Sequence, residues 1–163
     1  MPPSSSQEPT LRAMHPTDRN KIQQLGARLF SPFGDYSEAL HGWLRSPGVT
    51  TTVASNPTHG LVGFALLALL RDVAGRRGAY LLGIGVEETW QRRGLGAQLL
   101  TDSLDRARRN RARWGIDDVL LEVARDNNRA RELFESAGFE CVEDSERSYP
   151  GGQDVIRMRM PLC

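Results

Sequence analysis

Tyr80-Leu81-Leu82-Gly83-Ile84-Gly85-Val86 leads, a few residues on, into Gln91-Arg92-Arg93-Gly94-Leu95-Gly96, and a stretch with helical spacing follows. In a strand, Tyr80, Leu82, Ile84 and Val86 share one face. Leu81, Gly83 and Gly85 take the other, where two missing side chains let another group approach the backbone. Taken alone, this strand reads equally well as a bulge or bend. In the hexapeptide, the glycines let successive backbone N–H groups point into one concavity at the positive end of a helix dipole. Arg92 and Arg93 add charge there, and a pyrophosphate fits. Alone the hexapeptide is an ordinary helix entry with two solvated arginines; strand, glycine turn and helix together form an anion-site pattern. No Lys-Ser or Lys-Thr follows the glycines, and Leu99 stands where a dinucleotide fingerprint needs its third glycine, which sets aside ATP and NAD.

Downstream, Leu95, Leu99, Leu100, Leu104 and Ala107 recur at helical spacing within a helix expected over Leu95 to Trp114. Val119 to Ala124 reads as a short apolar strand. Asn128 to Ala137 reads as a helix with Ala130, Leu133, Phe134 and Ala137 inward, stopped by Gly138 with Phe139 as hydrophobic partner. Two last strands, about Glu140 to Arg147 and Asp154 to Met160, flank Pro150-Gly151-Gly152.

Upstream, the runs Leu61 to Leu70 and Ala79 to Val86 read as a hairpin of long central strands, although the first run alone leaves helix or strand open. Asn56, Pro57 and Gly60 mark a turn after a strand at Val49 to Val53. A helix over about Tyr36 to Leu44 precedes it. Asp18 is positioned to cap an earlier helix carrying Ile22, Leu25 and Leu29 on one face, broken by Ser31, Pro32 and Gly34. Leu11 to Met14 forms a short strand. Met1 to Pro9, rich in proline and serine, is expected as a disordered tail, so the domain is placed at residues 10–163.

At 163 residues one domain accounts for the chain, and 39% hydrophobic with 25% charged residues excludes a disordered or fibrous class. Lys plus Arg number 21 against 20 Asp plus Glu, a balance that argues against a nucleic-acid or anionic-membrane partner. The basic residues are nearly all Arg, Lys21 being the one Lys, which reads as compositional bias. The cluster Arg106, Arg108, Arg109, Arg111 and Arg113 falls in the last turns of a helix, where positive charge complements the dipole on a solvated face. Cys141 and Cys163 are too few for a disulfide framework and lack zinc-site spacing, so no metal is expected. The apolar run Gly60 to Leu70 is too short to span a bilayer, and the N-terminus has no signal pattern. A cytoplasmic location is expected.

Gln91-Arg-Arg-Gly-Leu-Gly96 resembles the Q/R-x-x-G-x-G/A motif of the GNAT superfamily of acyl-CoA N-acetyltransferases. Asn127-Asn-Arg-Ala130, Leu133-Phe134 and Gly138-Phe139 resemble that family's Asn-x-x-Ala, Leu-Tyr and Gly-Phe segment, at a family-like distance. The resemblance covers about Leu61 to Met160. It implies a single-domain α/β (α+β) fold with a mixed, mostly antiparallel sheet of about seven strands, about four helices and splayed central strands. It implies acetyl-CoA as acyl donor, with the thioester in the gap between the strands at Ala79 to Val86 and Val119 to Ala124. The backbone of Ile84, Gly85 and Val86 would pair with the pantetheine arm. Arg92, Arg93, Gly94, Leu95, Gly96 and Ala97 would hold the pyrophosphate, Asn127 would bind the arm from the other side, and Phe134 would complete the cofactor-binding set.

Acetyl transfer to an amine needs a base to free the nucleophile, and an acid can protonate the departing thiolate. Glu122, sharing a strand face with Leu120 and Ala124 in an apolar run, is the candidate base, as a partly desolvated carboxylate suited to proton transfer. The alternative is a half-exposed Glu satisfied by a neighbouring arginine. Glu87 and Glu88 are rival bases, direct or through water, or part of a solvated turn. Phe134 stands at the family's usual tyrosine and cannot donate a proton. Tyr149 is the nearest substitute hydroxyl, unless it serves only packing.

Ser148-Tyr-Pro-Gly-Gly-Gln-Asp154, followed by Val155, Ile156 and Met158, is similar to the C-terminal hairpin of bacterial enzymes that acetylate a ribosomal protein's terminal alanine. Leu121-Glu122-Val123 resembles the strand that carries their catalytic Glu. That likeness implies a role for Tyr149 in binding an incoming peptide backbone. An α-amine, with a pKa of about 8 against about 10.4 for Lys, is also the easier to deprotonate. Phe33, Tyr36 and Trp43 are either acceptor-site residues or core. The expected partner is an amine acceptor, a peptide N-terminus or a small molecule, met by a monomer or homodimer. A coenzyme A-binding module without catalysis is the alternative that Phe134 raises.

Overall fold

The computed structural model describes residues 8–71, 75 and 77–162, without the side chains of residues 143–146. Most of the expected N-terminal tail, Met1 to Gln7, lies outside the described residues, as do Arg76 of the central hairpin's turn and Cys163.

Among the described residues seven strands form one sheet. They are β1 (Thr10–Ala13), β2 (Val49–Asn56), β3 (Gly60–Arg71), β4 (Arg77–Val86), β5 (Asp118–Ala124), β6 (Glu140–Ser148) and β7 (Asp154–Pro161). Their order across the sheet is β1-β2-β3-β4-β5-β7-β6, and every neighbouring pair is antiparallel except β4 with β5. The helices are α1 (Arg19–Phe30), α2 (Ser37–Arg45), α3 (Leu95–Arg109), α4 (Arg111–Trp114) and α5 (Asn128–Ala137). The expected helix to Trp114 is thus split. Asn110 caps α3 with its side-chain amide donating to the Arg106 carbonyl at 2.8 Å, and the short α4 stops at Gly115 with φ 64°.

The ambiguous run after Gly60 is a strand because both of its faces are covered. Phe64 and Leu66 pack with Ile22, Leu25, Leu40 and Leu44 of α1 and α2. Val62 and Ala65 pack with Leu95 and Leu99 of α3, and Leu67 with Leu100 and Leu104. A strand buried on both sides loses its polar alternation and reads as a continuous apolar run.

The glycine-bearing strand departs from its expected face pattern. In the β3–β4 ladder Leu66 pairs with Gly83 but Leu67 with Leu81, so Leu82 is an extra residue and β4 bulges there. Leu81 packs in the cluster of α3, while Leu82 packs in that of α1 and α2. Gly83 and Gly85 also face α1. A Cβ on Gly83 would lie 2.9 Å from Phe30 Cζ, and one on Gly85 2.6 Å from Phe64 Cε1. The bulge reverses the side-chain parity, so Leu81 does not share a face with the glycines. What approaches their backbone there is the protein's own aromatic rings.

Asp18 sits at the N-cap position of α1 but makes no cap hydrogen bond. Its carboxylate accepts from Arg12 Nη1 at 2.7 Å, Arg12 Nη2 at 3.1 Å and the His15 N–H at 2.8 Å. A bidentate guanidinium outcompetes a single cap bond, and it ties β1 to the turn before α1. Among the described residues no helix is long and apolar enough to cross a membrane, and no three His, Cys, Asp or Glu gather as a metal site.

Candidate active site

Parallel pairing of β4 with β5 is confined to Ala79, Tyr80 and Leu81 opposite Val119, Leu120 and Leu121. Beyond it the strands part, and a cleft of about 150 Å³ opens. Leu82, Gly83 and Ile84 of β4 and Glu122, Val123 and Ala124 of β5 form its edges, with Asn127, Ala130 and Phe134 on the α5 side. Phe30, Phe33, Tyr36, Trp43 and Tyr149 complete the lining. A wider hollow of about 820 Å³ lies near Arg71, Tyr80, Asp118 and Arg159. It gathers none of the residues expected to act.

Arg92 to Ala97 lie beyond the end of β4, outside the cleft lining. Gly94 is the N-cap of α3 with φ 79°, and Arg92 before it also has positive φ, 64°. A glycine cap has no side chain to satisfy the first-turn N–H groups, and a Cβ on Gly94 would meet nothing within 4 Å. The space beside Gly94 is therefore open, with the exposed Arg92 and Arg93 alongside. Leu95 is buried and anchors the turn, Gly96 faces Leu133 of α5, and Ala97 is exposed. Arg93 lies over the Trp90 ring, 4.7 Å from its centroid. Gln91 Nε2 donates to the Val86 carbonyl at 2.9 Å, and Arg129 Nη1 donates to Gln91 Oε1 at 3.1 Å, joining this loop to β4 and α5. These bare donors, the positive charge and the parted strand edges fit the pyrophosphate and arm of acetyl-CoA.

Asn127 lines the cleft and also caps α5, its Oδ1 accepting the Ala130 N–H at 3.3 Å. Phe134 is buried against Phe139, with ring centroids 5.9 Å apart, and it too borders the cleft. Ile84 reaches the cleft, whereas Gly85 and Val86 lie deeper along the strand and are buried.

Glu122 reaches the cleft with its side chain 23% exposed, accepting from Arg147 Nη1 at 3.1 Å with Arg157 Nη2 at 3.5 Å. It thus meets the neighbouring arginines of the alternative reading, and it also borders the aromatic and apolar lining of the cleft. Neither arginine was legible beforehand, because β6 and β7 had to be folded onto β5 first. Glu87 is ion-paired with Arg28, Glu88 is exposed, and neither lines the cleft.

Tyr149 lies at the tip of the β6–β7 hairpin with its ring centroid 5.3 Å from that of Phe33. The tip is docked on the α1–α2 connection. The Gly151 N–H donates to the Phe33 carbonyl at 3.0 Å, Gln153 Nε2 donates to the Pro32 carbonyl at 2.9 Å, and a Cβ on Gly151 would collide with Pro32 O. Burial, then the charge of Glu122, pushes the Tyr149 hydroxyl up to about 12, with Arg147 opposing. Tyr36 is raised by burial and Glu122 in the same way. Both phenols therefore stay protonated through neutral pH. Phe30 is a cleft residue the sequence did not single out; its partner Gly83 lies far along the chain, so no local signal marks it.

Residues 19–139 match the acetyltransferase (GNAT) family. The chain is 31% identical over 154 residues to the N-alpha-acetyltransferase RimI of Mycobacterium tuberculosis, covering 92% of this chain and 90% of that protein. It is 31% identical over 105 residues to a ribosomal-protein alanine N-acetyltransferase of Escherichia coli, covering 63% of this chain and 65% of the relative. The crystal structure of an E. coli ribosomal-protein alanine acetyltransferase shares the fold with a TM-score of 0.76 at 24% identity, over 94% of each chain. Spermidine N-acetyltransferase of Vibrio cholerae, solved with CoA and spermine, does so with a TM-score of 0.73 at 23% identity, over 95% of this chain and 96% of that one. The chain thus belongs to the GNAT family of acetyltransferases and is an acetyl-CoA-dependent N-acetyltransferase.

Proposed function

We propose that the acceptor is the α-amino group of a polypeptide N-terminus and that Glu122 receives the proton this amine gives up. One observation carries the reading: of the described residues lining the cleft, Glu122 alone is charged, and it sits where β4 and β5 part. Its carboxylate draws in an ammonium and accepts a proton from it. The amine's lone pair then attacks the acetyl carbonyl to form the C–N bond, the C–S bond breaks to release the thiolate, and the nitrogen's second proton passes to that thiolate or to solvent. An α-amine with a pKa of about 8 loses its proton near neutrality far more readily than a Lys side chain at about 10.4.

Acetyl-CoA supplies the acetyl group as a thioester. In this reading Arg92, Arg93 and the first-turn N–H groups from Leu95 to Ala97 hold its pyrophosphate, with Gly94 keeping the approach clear. Ile84, Gly85 and Val86 flank the arm on one side, and Asn127 and Phe134 on the other. A thiol has a pKa of about 8.5, so a thiolate departs near neutrality without a strong acid, and Phe134 is compatible with turnover. Tyr149, held up to about 12, is too weak an acid to protonate that thiolate outright. Its fitting role is to donate a hydrogen bond to the acceptor's backbone.

The M. tuberculosis relative, matched over nearly its whole length, is an N-alpha-acetyltransferase, which supports the acceptor class. Polyamines fit less well, because a polycation needs several carboxylates and the one in this cleft already contacts two guanidinium groups. Cytoplasmic residence, where new N-termini emerge, suits this acceptor.

The test is release of coenzyme A thiol from acetyl-CoA with peptides bearing free or blocked N-termini, alongside polyamines and aminoglycosides. Release with free N-termini alone is the expected result. Release with polyamines alone would name another acceptor. Saturable acetyl-CoA binding with no release in any sample would favour a binding module.

A further inference from the structure

The tip of the β6–β7 hairpin and the connection between α1 and α2 meet at positions with no room for a side chain. A Cβ on Gly151 would lie 2.2 Å from Pro32 O, and one on Gly34, where φ is 147°, would lie 2.9 Å from Pro150 Cγ. Two hydrogen bonds cross this seam, the Gly151 N–H donating to the Phe33 carbonyl at 3.0 Å and Gln153 Nε2 to the Pro32 carbonyl at 2.9 Å. The seam sets Tyr149 beside Phe33, ring centroids 5.3 Å apart, and both rings line the cleft.

Gln153 does not line the cleft, yet it joins the seam to Tyr149. Its backbone carbonyl accepts the Tyr149 N–H at 2.8 Å while its side chain holds the facing connection. The orientation of that amide is fixed. Exchanging its nitrogen and oxygen would set the side-chain oxygen against the Pro32 carbonyl oxygen, two acceptors with no proton between them. In the orientation observed, Oε1 is buried with no hydrogen-bond partner among the described residues, so the donor end is the part that acts. Any residue at this position could accept the Tyr149 N–H through its backbone; what the glutamine side chain adds is the bond to Pro32.

We infer that Gln153 is a positioning residue: by donating to the Pro32 carbonyl it fixes the Tyr149 ring at the cleft, so that the phenol can donate to the acceptor's backbone, although Gln153 itself touches neither substrate. This rests on the acceptor-binding role read for Tyr149 above. Without the Pro32 bond the hairpin tip loosens, Tyr149 loses its fixed place and the acceptor binds more weakly. The donor site, built on the N-terminus of α3, is untouched.

The experiment uses Gln153→Met, which keeps the bulk and removes the donor, and Gln153→Glu, which turns a carboxylate toward the Pro32 carbonyl. Each is made in the parent and in Tyr149→Phe. The KM values for a free-N-terminus peptide and for acetyl-CoA are measured, together with the alkaline tyrosinate titration and, as a folding control, thermal melting. The expected result is an acceptor KM raised about three- to ten-fold, the range of one lost hydrogen bond, with the acetyl-CoA KM unchanged and the latest tyrosinate step moved to lower pH. In the Tyr149→Phe background the same substitutions should leave the acceptor KM within about two-fold, since the two residues act as one unit. Should one Gln153 variant fail to fold, the other carries the test. An equal rise in the Tyr149→Phe background, a joint rise of both KM values, or variants with the parent's acceptor KM and titration would overturn the positioning role and leave the acceptor class standing. A parent that acetylates no peptide while acetylating another amine would overturn the acceptor reading itself, and the titration, which needs no substrate, would still decide whether Gln153 holds Tyr149.

Discussion

Arg147 on β6 reaches across β7 to Glu122 on β5, its Nη1 donating to Oε1 at 3.1 Å. The pair joins two residues on strands that are not neighbours, and it sets the candidate base beside a cation before any acceptor arrives. Because Arg147 is 71% exposed, the pair contributes at most about 1 kcal/mol to stability. Its consequence is chemical, since an incoming ammonium must compete with Arg147 for the carboxylate. Glu122→Gln is expected to lower kcat/KM about a hundred-fold or more with melting nearly unchanged. Arg147→Ala is expected to lower the KM for the acceptor. Steady-state kinetics with both variants checks this, and a Glu122→Gln protein at parental rate would remove Glu122 from the chemistry.

Tyr149 gives a pH signature. A phenol is uncharged when protonated, and its folded value of about 12 stands above an unfolded value of about 10. Below pH about 10 both states keep the proton and stability does not depend on it. Between about 10 and 12 the unfolded chain releases a proton that the folded chain retains, so stability falls as pH rises. Tyrosinate absorbance should show Tyr149 as the latest-titrating group, with Tyr36 also raised, and Tyr149→Phe should remove that last step and reduce the alkaline loss of stability. A titration that Tyr149→Phe leaves unchanged would contradict the buried hydroxyl.

At the acid end the determinant is Asp18, whose carboxyl is held below its ordinary value by the Arg12 guanidinium and then the His15 N–H, against its own desolvation. A carboxyl depressed on folding stabilises the protein above its unfolded pKa, and the contribution is lost as pH falls through the lower folded value. Asp18→Ala is expected to cost about 1–3 kcal/mol at neutral pH by removing the carboxylate that pairs with Arg12 and accepts from the His15 N–H. In urea melts followed from neutral to acid pH, the gap between variant and parent should close.

Asp18 also shows where reading the sequence stops. Its position before an apolar helical pattern marks a helix start, and α1 does begin there, but which partner takes the carboxylate depends on β1 lying alongside. The same divide runs through the site. Gly94, Gly96 and Asn127 mark helix starts through local backbone needs, so they are legible. The β4 bulge is set by pairing with β3, and it moves Gly83 and Gly85 onto the face of Phe30 and Phe64, which no periodicity within β4 announces. The docking of Gly151 on Pro32 and the arginines on Glu122 are likewise contacts between segments far apart in the chain. Local chemistry marks the donor end of the site; the acceptor end is assembled by tertiary packing.

Two glycines separate backbone need from mere smallness. Gly42 lies inside α2, and a Cβ there would meet nothing within 4 Å, so Gly42→Ala should stabilise the protein by about 0.5–1 kcal/mol through reduced unfolded-state entropy. Gly94 has equally open surroundings but φ 79°, a left-handed conformation that costs a side-chain-bearing residue about 1–2 kcal/mol. Gly94→Ala should therefore destabilise by that amount. If the turn relaxes to relieve the strain, the first-turn donors of α3 shift with it, and the KM for acetyl-CoA should rise while the acceptor's KM holds. Thermal melting and acetyl-CoA titration of the two variants read these effects separately. A Gly94→Ala protein as stable as Gly42→Ala, with unchanged donor affinity, would show that the left-handed cap is dispensable and that the pyrophosphate is held elsewhere.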